Sequence, residues 1–265
     1  MSHQYFYRYH KFYDSDDEEK KFTKQLFLDK EIKVFPFTDM NDPFEGFVKY
    51  RAGAKTDTEF RSLYKKLLKE RFPHLTDLDI QKQVDDLLAK HKNYGLDQLM
   101  ELFNEEQFRE YTDKGIICLT TDPKNILMWS HYADNHRGYC LQFNTKSVFA
   151  RAKKIDYLSH PPEVDVYTTT NEKWYKAYLL TKFKTWKYES EYRLVVKHTS
   201  KTGKDVFYIF SEKDLSGVIF GCRMNSIRRQ QITEWLKTWK ENKDVKLYEA
   251  IPNKDEYAVD IVPVK

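Results

Sequence analysis

The hydrophobic period changes twice along this chain, and that double change restricts its fold more than any other feature. At the start, Tyr5, Tyr7 and Tyr9 alternate with Phe6, Arg8 and His10, the period of two that belongs to a strand. From Thr56 to Lys114, apolar residues instead recur three and four apart, in FRSLYKKLLKERF, LTDLDIQKQVDDLLAKH and LDQLMELFNEEQFREY. That is the period of amphipathic helices, and Thr76 opens the second as an N-cap with Asp79 at its third position. Strand-like runs then return: IICLT, GYCLQF, YESEYRLVVK, DVFYIF, GVIFGC, KLYEAI and YAVDIVPV. The order lacks the regular βαβ alternation of a doubly wound sheet. It predicts one α+β domain over residues 1–265, with a mixed, mostly antiparallel β core, flanking helices and a helical insertion at about 56–114.

Local chemistry fills in the remaining elements. The acidic run Asp14 to Glu19 leads into a helix around Lys20 to Leu28, EIKVFPF reads as a strand, and Asn41, Asp42, Pro43 and Gly46 read as turn residues. In the segment Thr120 to Cys140, Asp122 is expected to cap a helix with Pro123 as its first residue, and Gly138 to end it. A further helix is expected through NEKWYKAYLLTKFKTW, a hairpin at Gly203, and a last helix in SIRRQQITEWLKTWKENK.

Charge and cysteine content exclude several classes. The 45 basic and 41 acidic side chains nearly cancel, so any affinity for anions must be local. Cys118, Cys140 and Cys222 are odd in number and form no C-x-x-C pair, which argues against a disulfide framework or zinc knuckle and fits a reducing cytosol. The start MSHQYFYRYH is too polar for a signal peptide, and no apolar run approaches transmembrane length. A cytoplasmic protein without membrane contact is expected. P-loop, Rossmann, α/β-hydrolase and zincin motifs are all absent.

Two stretches carry candidate chemistry. In YESEYRLVV, strand alternation puts Glu189, Glu191 and Arg193 on one face and Tyr188, Tyr192, Leu194 and Val196 on the other. Either the arginine orients one acid while the second reacts, or the face is a solvated ion-pair surface. The helix after Thr120 and Thr121 has two stripes: Ile126, Ser130 and Ala133, expected to pack on the sheet, and Trp129, Tyr132 and His136, expected to line a pocket. His131 and His136 are five apart, so they do not form a helical metal pair, and no metal is expected.

The elements YRYH, NDPFE, MWSHYADNHRG, WKYESEYR and VIFGCRM together resemble a bacterial family known as domain of unknown function 2971, whose name implies no activity. A second resemblance is to ADP-ribosyltransferase-like domains. It rests on the order Arg8, then Thr120 and Thr121 with the Trp129, Tyr132 and His136 helix, then Glu189-Ser190-Glu191. That resemblance implies NAD as a consumed substrate, with Arg8 on its phosphates and rings against nicotinamide. Glu191 would be the catalytic carboxylate and Glu189 would orient the acceptor. A toxin or phage-defence role and a protein acceptor go with it. The chain departs from the pattern in lacking a clean S-T-S element.

Two other readings stand beside it. A non-catalytic nucleic-acid or nucleotide-binding module would use the basic and aromatic stretches Lys182 to Lys187 and Arg223 to Lys240. A carboxylate-centred nuclease would gather Asp42, Glu45, Glu189 and Glu191 around a divalent cation. The enzymatic reading requires Arg8, Trp129, His136, Glu189 and Glu191 to converge on one cleft.

Overall fold

Alternation along β1 (Tyr5–His10) sends Phe6 into one apolar cluster and Tyr7 and Tyr9 into another, so the strand is packed on both faces. The structure, a computed structural model, describes residues 3–14, 22–51, 54–165, 169–198, 205–242 and 244–264. The hairpin expected at Gly203 lies outside them, as does most of the acidic run before the first helix.

The chain runs from β1 through α1 (Phe22–Leu28), β2 (Glu31–Pro36) and β3 (Lys49–Arg51) into three successive helices, α2 (Asp57–Arg71), α3 (Asp77–Lys90) and α4 (Leu96–Arg109). It continues with β4 (Lys114–Thr120), α5 (Ile126–Tyr132), β5 (Tyr139–Asn144), β6 (Lys153–Lys154), β7 (Asp156–Leu158) and β8 (Glu163–Asp165). Then come α6 (Asn171–Leu179), β9 (Thr181–Phe183), β10 (Glu191–Lys197), β11 (Val206–Ile209), β12 (Leu215–Phe220), α7 (Ser226–Lys237), β13 (Lys246–Pro252) and β14 (Val259–Pro263). The architecture is α+β. Two compact units divide it: Met1–Asp39, Lys114–Tyr157 and Lys184–Lys265 form the first, Met40–Asp113 and Leu158–Phe183 the second.

In the first unit, ten strands make one sheet in the order β11-β2-β4-β1-β5-β12-β13-β14, with β10 on β4 and β6 on β10. Its strand pairs are antiparallel except for β12 with β13, which is parallel. Phe6, Ile117, Leu119, Leu141, Phe143, Leu194, Val218 and Phe220 build the larger core, closed by Phe27 of α1 and by Ile232 and Leu236 of α7. Residues one step out of phase, Tyr9, Cys140 and Ile219, join Met128 and Trp129 of α5 in a smaller core. Each such large apolar side chain contributes roughly 1.5–3 kcal/mol through burial.

Helices α2, α3 and α4 fall where the helical period places them, and the compact unit that holds them also takes in β3, β8 and α6. Thr76 caps α3 as expected: its hydroxyl accepts the Asp79 N–H and the Asp79 carboxylate accepts the Thr76 N–H. Two helices are shorter than their patterns, and α7 stops at Lys237 within the expected SIRRQQITEWLKTWKENK run. The expected NEKWYKAYLLTKFKTW helix stops at Leu179, and Thr181–Phe183 is extended, because the β-branched Thr181 follows the Leu180 cap and turns its hydroxyl back to the Ala177 carbonyl at 2.7 Å. No helix of the described residues is long and apolar enough to cross a membrane.

His10 ends β1 stacked on Tyr139, with ring centroids 5.3 Å apart. Its Nε2 is sealed from solvent and has no hydrogen-bond partner among the described residues. Burial, helped by the Arg8 charge, holds its pKa well below the usual histidine value. The folded chain therefore keeps this ring neutral, whereas the unfolded chain protonates it below about pH 6.5. Stability is fully present above that pH and falls as pH drops through it, by about 1 kcal/mol per unit. Urea midpoints at pH 7.5 and 5.5 should differ accordingly, and His10→Phe should reduce the difference; an unchanged slope would remove His10 as its source.

Candidate active site

Strand pairing carries one carboxylate of the Glu-x-Glu pair to the tyrosine face of the sheet. Glu191 stands opposite Thr120, and Thr120 stands opposite Tyr7; paired residues project to the same side. Arg193, opposite Cys118, follows onto that face. Its Nε and Nη2 donate to the two Glu191 oxygens at 2.8 and 3.2 Å. Arginine and carboxylate are 0% and 3% exposed, so this is a buried two-point ion pair and not the solvated surface that was the alternative. The Glu191 N–H donates to the Tyr157 hydroxyl at 2.8 Å. Cys118 is part of the same cluster, but burial and then Glu191 push its thiol pKa up, so it is no nucleophile at neutral pH.

Arg8 is only 8% exposed. Where β1 diverges from β4, its guanidinium donates to the carbonyls of Cys118 at 3.0 Å and Lys33 at 3.4 Å. Burial lowers its pKa, while Cys118, Tyr139 and Glu191 act in the other direction. Those bonds stitch three strands together, and they occupy donors that the sequence assigned to phosphate.

Glu189 ends a 3-10 turn at Lys184–Glu189, and Ser190 follows with φ 45°. A left-handed non-glycine residue interrupts the two-residue alternation. The expectation of one continuous strand face through Glu189 is corrected accordingly, and so is the place of Tyr188. That ring packs with the Trp129 cluster, while Tyr192 and Val196 pack on the larger core. Glu189 is buried at 3% exposure, and its Oε1 accepts the Tyr132 hydroxyl at 2.6 Å.

The helix that supplies Tyr132 starts later than its sequence indicates. Asn125, not Asp122, is the N-cap, accepting the N–H groups of Leu127 and Met128 at 2.9 and 3.2 Å. The Asn125 amide also donates to the Tyr188 carbonyl at 2.6 Å, a tertiary bond that Asp122 has no donor to make. Asp122 instead turns on itself to accept the Lys124 N–H, and its carbonyl accepts the Tyr9 hydroxyl.

Ala133 packs in the sheet-side core as expected, but Trp129 and Ile126 exchange places. Trp129 is fully buried, T-shaped against Tyr9 at 5.0 Å, with its indole N–H on the Pro123 carbonyl at 2.9 Å; Ile126 is 38% exposed. Trp129 is thus core and not a pocket wall, because an indole covers more of the sheet than isoleucine and finds its polar partner there. Thr120 is buried with its hydroxyl accepting the Asp122 N–H at 3.2 Å, and Thr121 is half-buried.

Beyond α5, Asp134, Asn135 and His136 have φ of 49°, 52° and 68°. Backbone bonds hold this left-handed run: His136 N–H to Trp129 O, Gly138 N–H to Ala133 O, and Arg223 N–H to His136 O. A Cβ on Gly138 would fall on the His10 carbonyl oxygen, which explains glycine there. His136 lies nearly parallel to Trp129, and burial, then Arg223, lower its pKa. It is a neutral support of the loop.

Glu191 and Thr120 thus share the side of the sheet on which Trp129, Tyr132 and Tyr188 pack, and Tyr132 joins Glu189 to it, whereas Arg8, one step out of phase with Tyr7 and Tyr9 on β1, projects to the other side, so the expected convergence of Arg8 with these residues on one cleft is corrected. Sequence reasoning missed Asn125, Tyr157 and Tyr188. Tyr188, beside Glu189 and with its hydroxyl 3.4 Å from His131 Nδ1, was signalled by its motif; Tyr157 carried no signal. Lys182 is buried against Glu45 at 3.7 Å, Arg228 pairs with Asp14, and Arg229 pairs with Glu249, so these cations have partners within the chain. Among the described residues, no group of three or more His, Cys, Asp or Glu is placed to hold a metal ion.

Fold and site define an α+β protein with a buried Arg–Glu pair and a tyrosine-covered carboxylate on one sheet face. Residues 128–194 match the model of a family described as protein of unknown function (DUF2971). That stretch, well under half of the chain, begins in α5 and ends in β10. It contains Tyr132, Glu189, Glu191 and Arg193. No curated protein and no solved structure matches the chain.

Proposed function

We propose that the chain is an NAD-consuming enzyme of the ADP-ribosyl-transfer class. The observation that carries this reading is the 2.6 Å bond between Tyr132 and Glu189. It joins the aromatic helix to the Glu-x-Glu turn, 57 residues away, on the face that also holds Thr120. The geometry favours Glu189 as the working carboxylate. Glu191 is held by Arg193 in two bonds, and Glu189, at the end of the 3-10 turn, is met by the hydroxyl of the aromatic helix.

The bond between the nicotinamide nitrogen and the ribose anomeric carbon breaks, and its electron pair leaves with nicotinamide. The Glu189 carboxylate stabilises the oxocarbenium charge. Water or an acceptor nucleophile then adds to the anomeric carbon, and its proton passes to the carboxylate.

Nicotinamide release from NAD, measured in the presence of host lysate, is the direct test. Glu189→Gln should lower the rate by at least about 100-fold, the scale of a lost charge-stabilising or acid–base group, measured on chain shown by its circular dichroism to be folded. Absence of release by the unaltered chain, or release unaffected by this substitution, would sink the assignment.

A further inference from the structure

Gln142 of β5 is 6% exposed, and its carboxamide makes no hydrogen bond to any described residue. Folded proteins seldom leave so deeply buried a polar side chain unmatched. Unlike His10 Nε2 and Asn104 Oδ1, which are sealed from solvent, it keeps a small exposed part, so a ligand can reach it.

Strand register shows what surrounds that opening. Gln142 stands opposite Tyr7 of β1 on one side and Gly217 of β12 on the other. Tyr7 is in turn opposite Thr120, and Thr120 opposite Glu191. Paired residues project to the same side, so Gln142 shares the tyrosine face with Thr120 and Glu191. Gly217 has no side chain to fill its place, and the Tyr248 ring lies there instead: a Cβ on Gly217 would meet that ring at 3.0 Å. The carboxamide therefore stands between two tyrosines. Both rim the same small core as Tyr132, whose hydroxyl meets Glu189. Burial first, then Cys140 and the neighbouring tyrosines, push the Tyr7 hydroxyl up to about 12, so it stays a neutral donor.

A carboxamide is donor and acceptor at once, and the partner that satisfies both is another amide, which returns one bond of each kind. Rings on either hand suit a flat ring that carries it. A carboxylate only accepts, and it would be desolvated two strands away from Lys246, which is exposed beyond Gly217. We propose that Gln142 reads the carboxamide of the nicotinamide ring, exchanging two hydrogen bonds with it between Tyr7 and Tyr248. The choice of this ring among amide-bearing ones rests on the NAD reading.

Calorimetric titration of the full chain with free nicotinamide tests the slot apart from turnover. Saturable binding is expected. Nicotinic acid, the same ring with a carboxylate in place of the amide, should bind at least about tenfold more weakly, because a site built to exchange two bonds rejects a ligand that returns one. That comparison needs no variant to fold. Gln142→Leu, shown by circular dichroism to be folded, should weaken nicotinamide by a similar factor and abolish the preference. A chain that releases nicotinamide from NAD but binds both rings equally, or whose preference survives Gln142→Leu, overturns the inference and leaves the NAD reading standing. A chain that prefers nicotinamide through Gln142 but releases none from NAD supports the slot and sinks that reading. No saturable binding at tens of millimolar nicotinamide overturns the inference outright.

Discussion

Glu191→Gln lowers the stability of the chain by about 3–5 kcal/mol, the size of the effect when one partner of a buried ion pair is removed. Arg193 is wholly buried and donates to both Glu191 oxygens. The buried Arg8 guanidinium also feels this carboxylate. Gln keeps the shape and takes away the charge, so two guanidinium groups remain in a medium of low dielectric without it. Denaturation in urea at pH 7 should show the midpoint falling with little change in slope. Joint replacement of Glu191 and Arg193 by Met should be less damaging than the sum of the single replacements, because the two bonded charges are then removed together. A loss below about 1 kcal/mol for Glu191→Gln would mean that the pair behaves like an exposed one, and the structural role assigned to it would fall. The same experiment separates the two acids, since Glu189→Gln is expected to act on nicotinamide release and Glu191→Gln on folding.

Trp129→Ala is expected to be as severe, about 3–5 kcal/mol for removing a buried aromatic side chain, or a drop of about 10 °C or more in melting temperature. The indole fills the smaller core between Tyr9, Ala133 and Ile219, and its N–H bond to the Pro123 carbonyl goes with it. Trp129→Phe should recover much of the packing but not that bond. The readout distinguishes a core residue from a pocket wall. A core role predicts lost stability in Trp129→Phe with an unchanged KM for NAD, whereas a wall would give a raised KM in a chain of normal stability.

Those two substitutions also mark how far the sequence could be read. The period of two along Tyr5–His10 and the period of three to four from Thr56 onward were sufficient to place strands and helices, because burial of one face is a local pattern. Thr76 with Asp79 fixed a helix start for the same reason, since both partners of the capping box lie within four residues. The α5 start was misread. Asp122-Pro123 and Asn125 are both locally competent, and the choice fell to a bond from Asn125 to the carbonyl of Tyr188, 63 residues away. Glu189 was read as part of a strand because nothing local announces the left-handed Ser190.

Charge roles were the least legible. Arg8, Glu189, Glu191 and Arg193 were all visible as candidates, but which guanidinium meets which carboxylate depends on strand register. The sequence by itself determined the α+β class, the helical stretch that interrupts the sheet, and the residue types available on the tyrosine face. Only the tertiary structure decided that Arg193 holds Glu191, that Arg8 braces backbone carbonyls, that Tyr132 covers Glu189, and that Trp129 is buried while Ile126 is not. Periodicity reports which side of an element is apolar, and it is silent on partners. Partners are chosen where strands separated by 70 or more residues come into register, because desolvating a charge is tolerable only beside the group that compensates it.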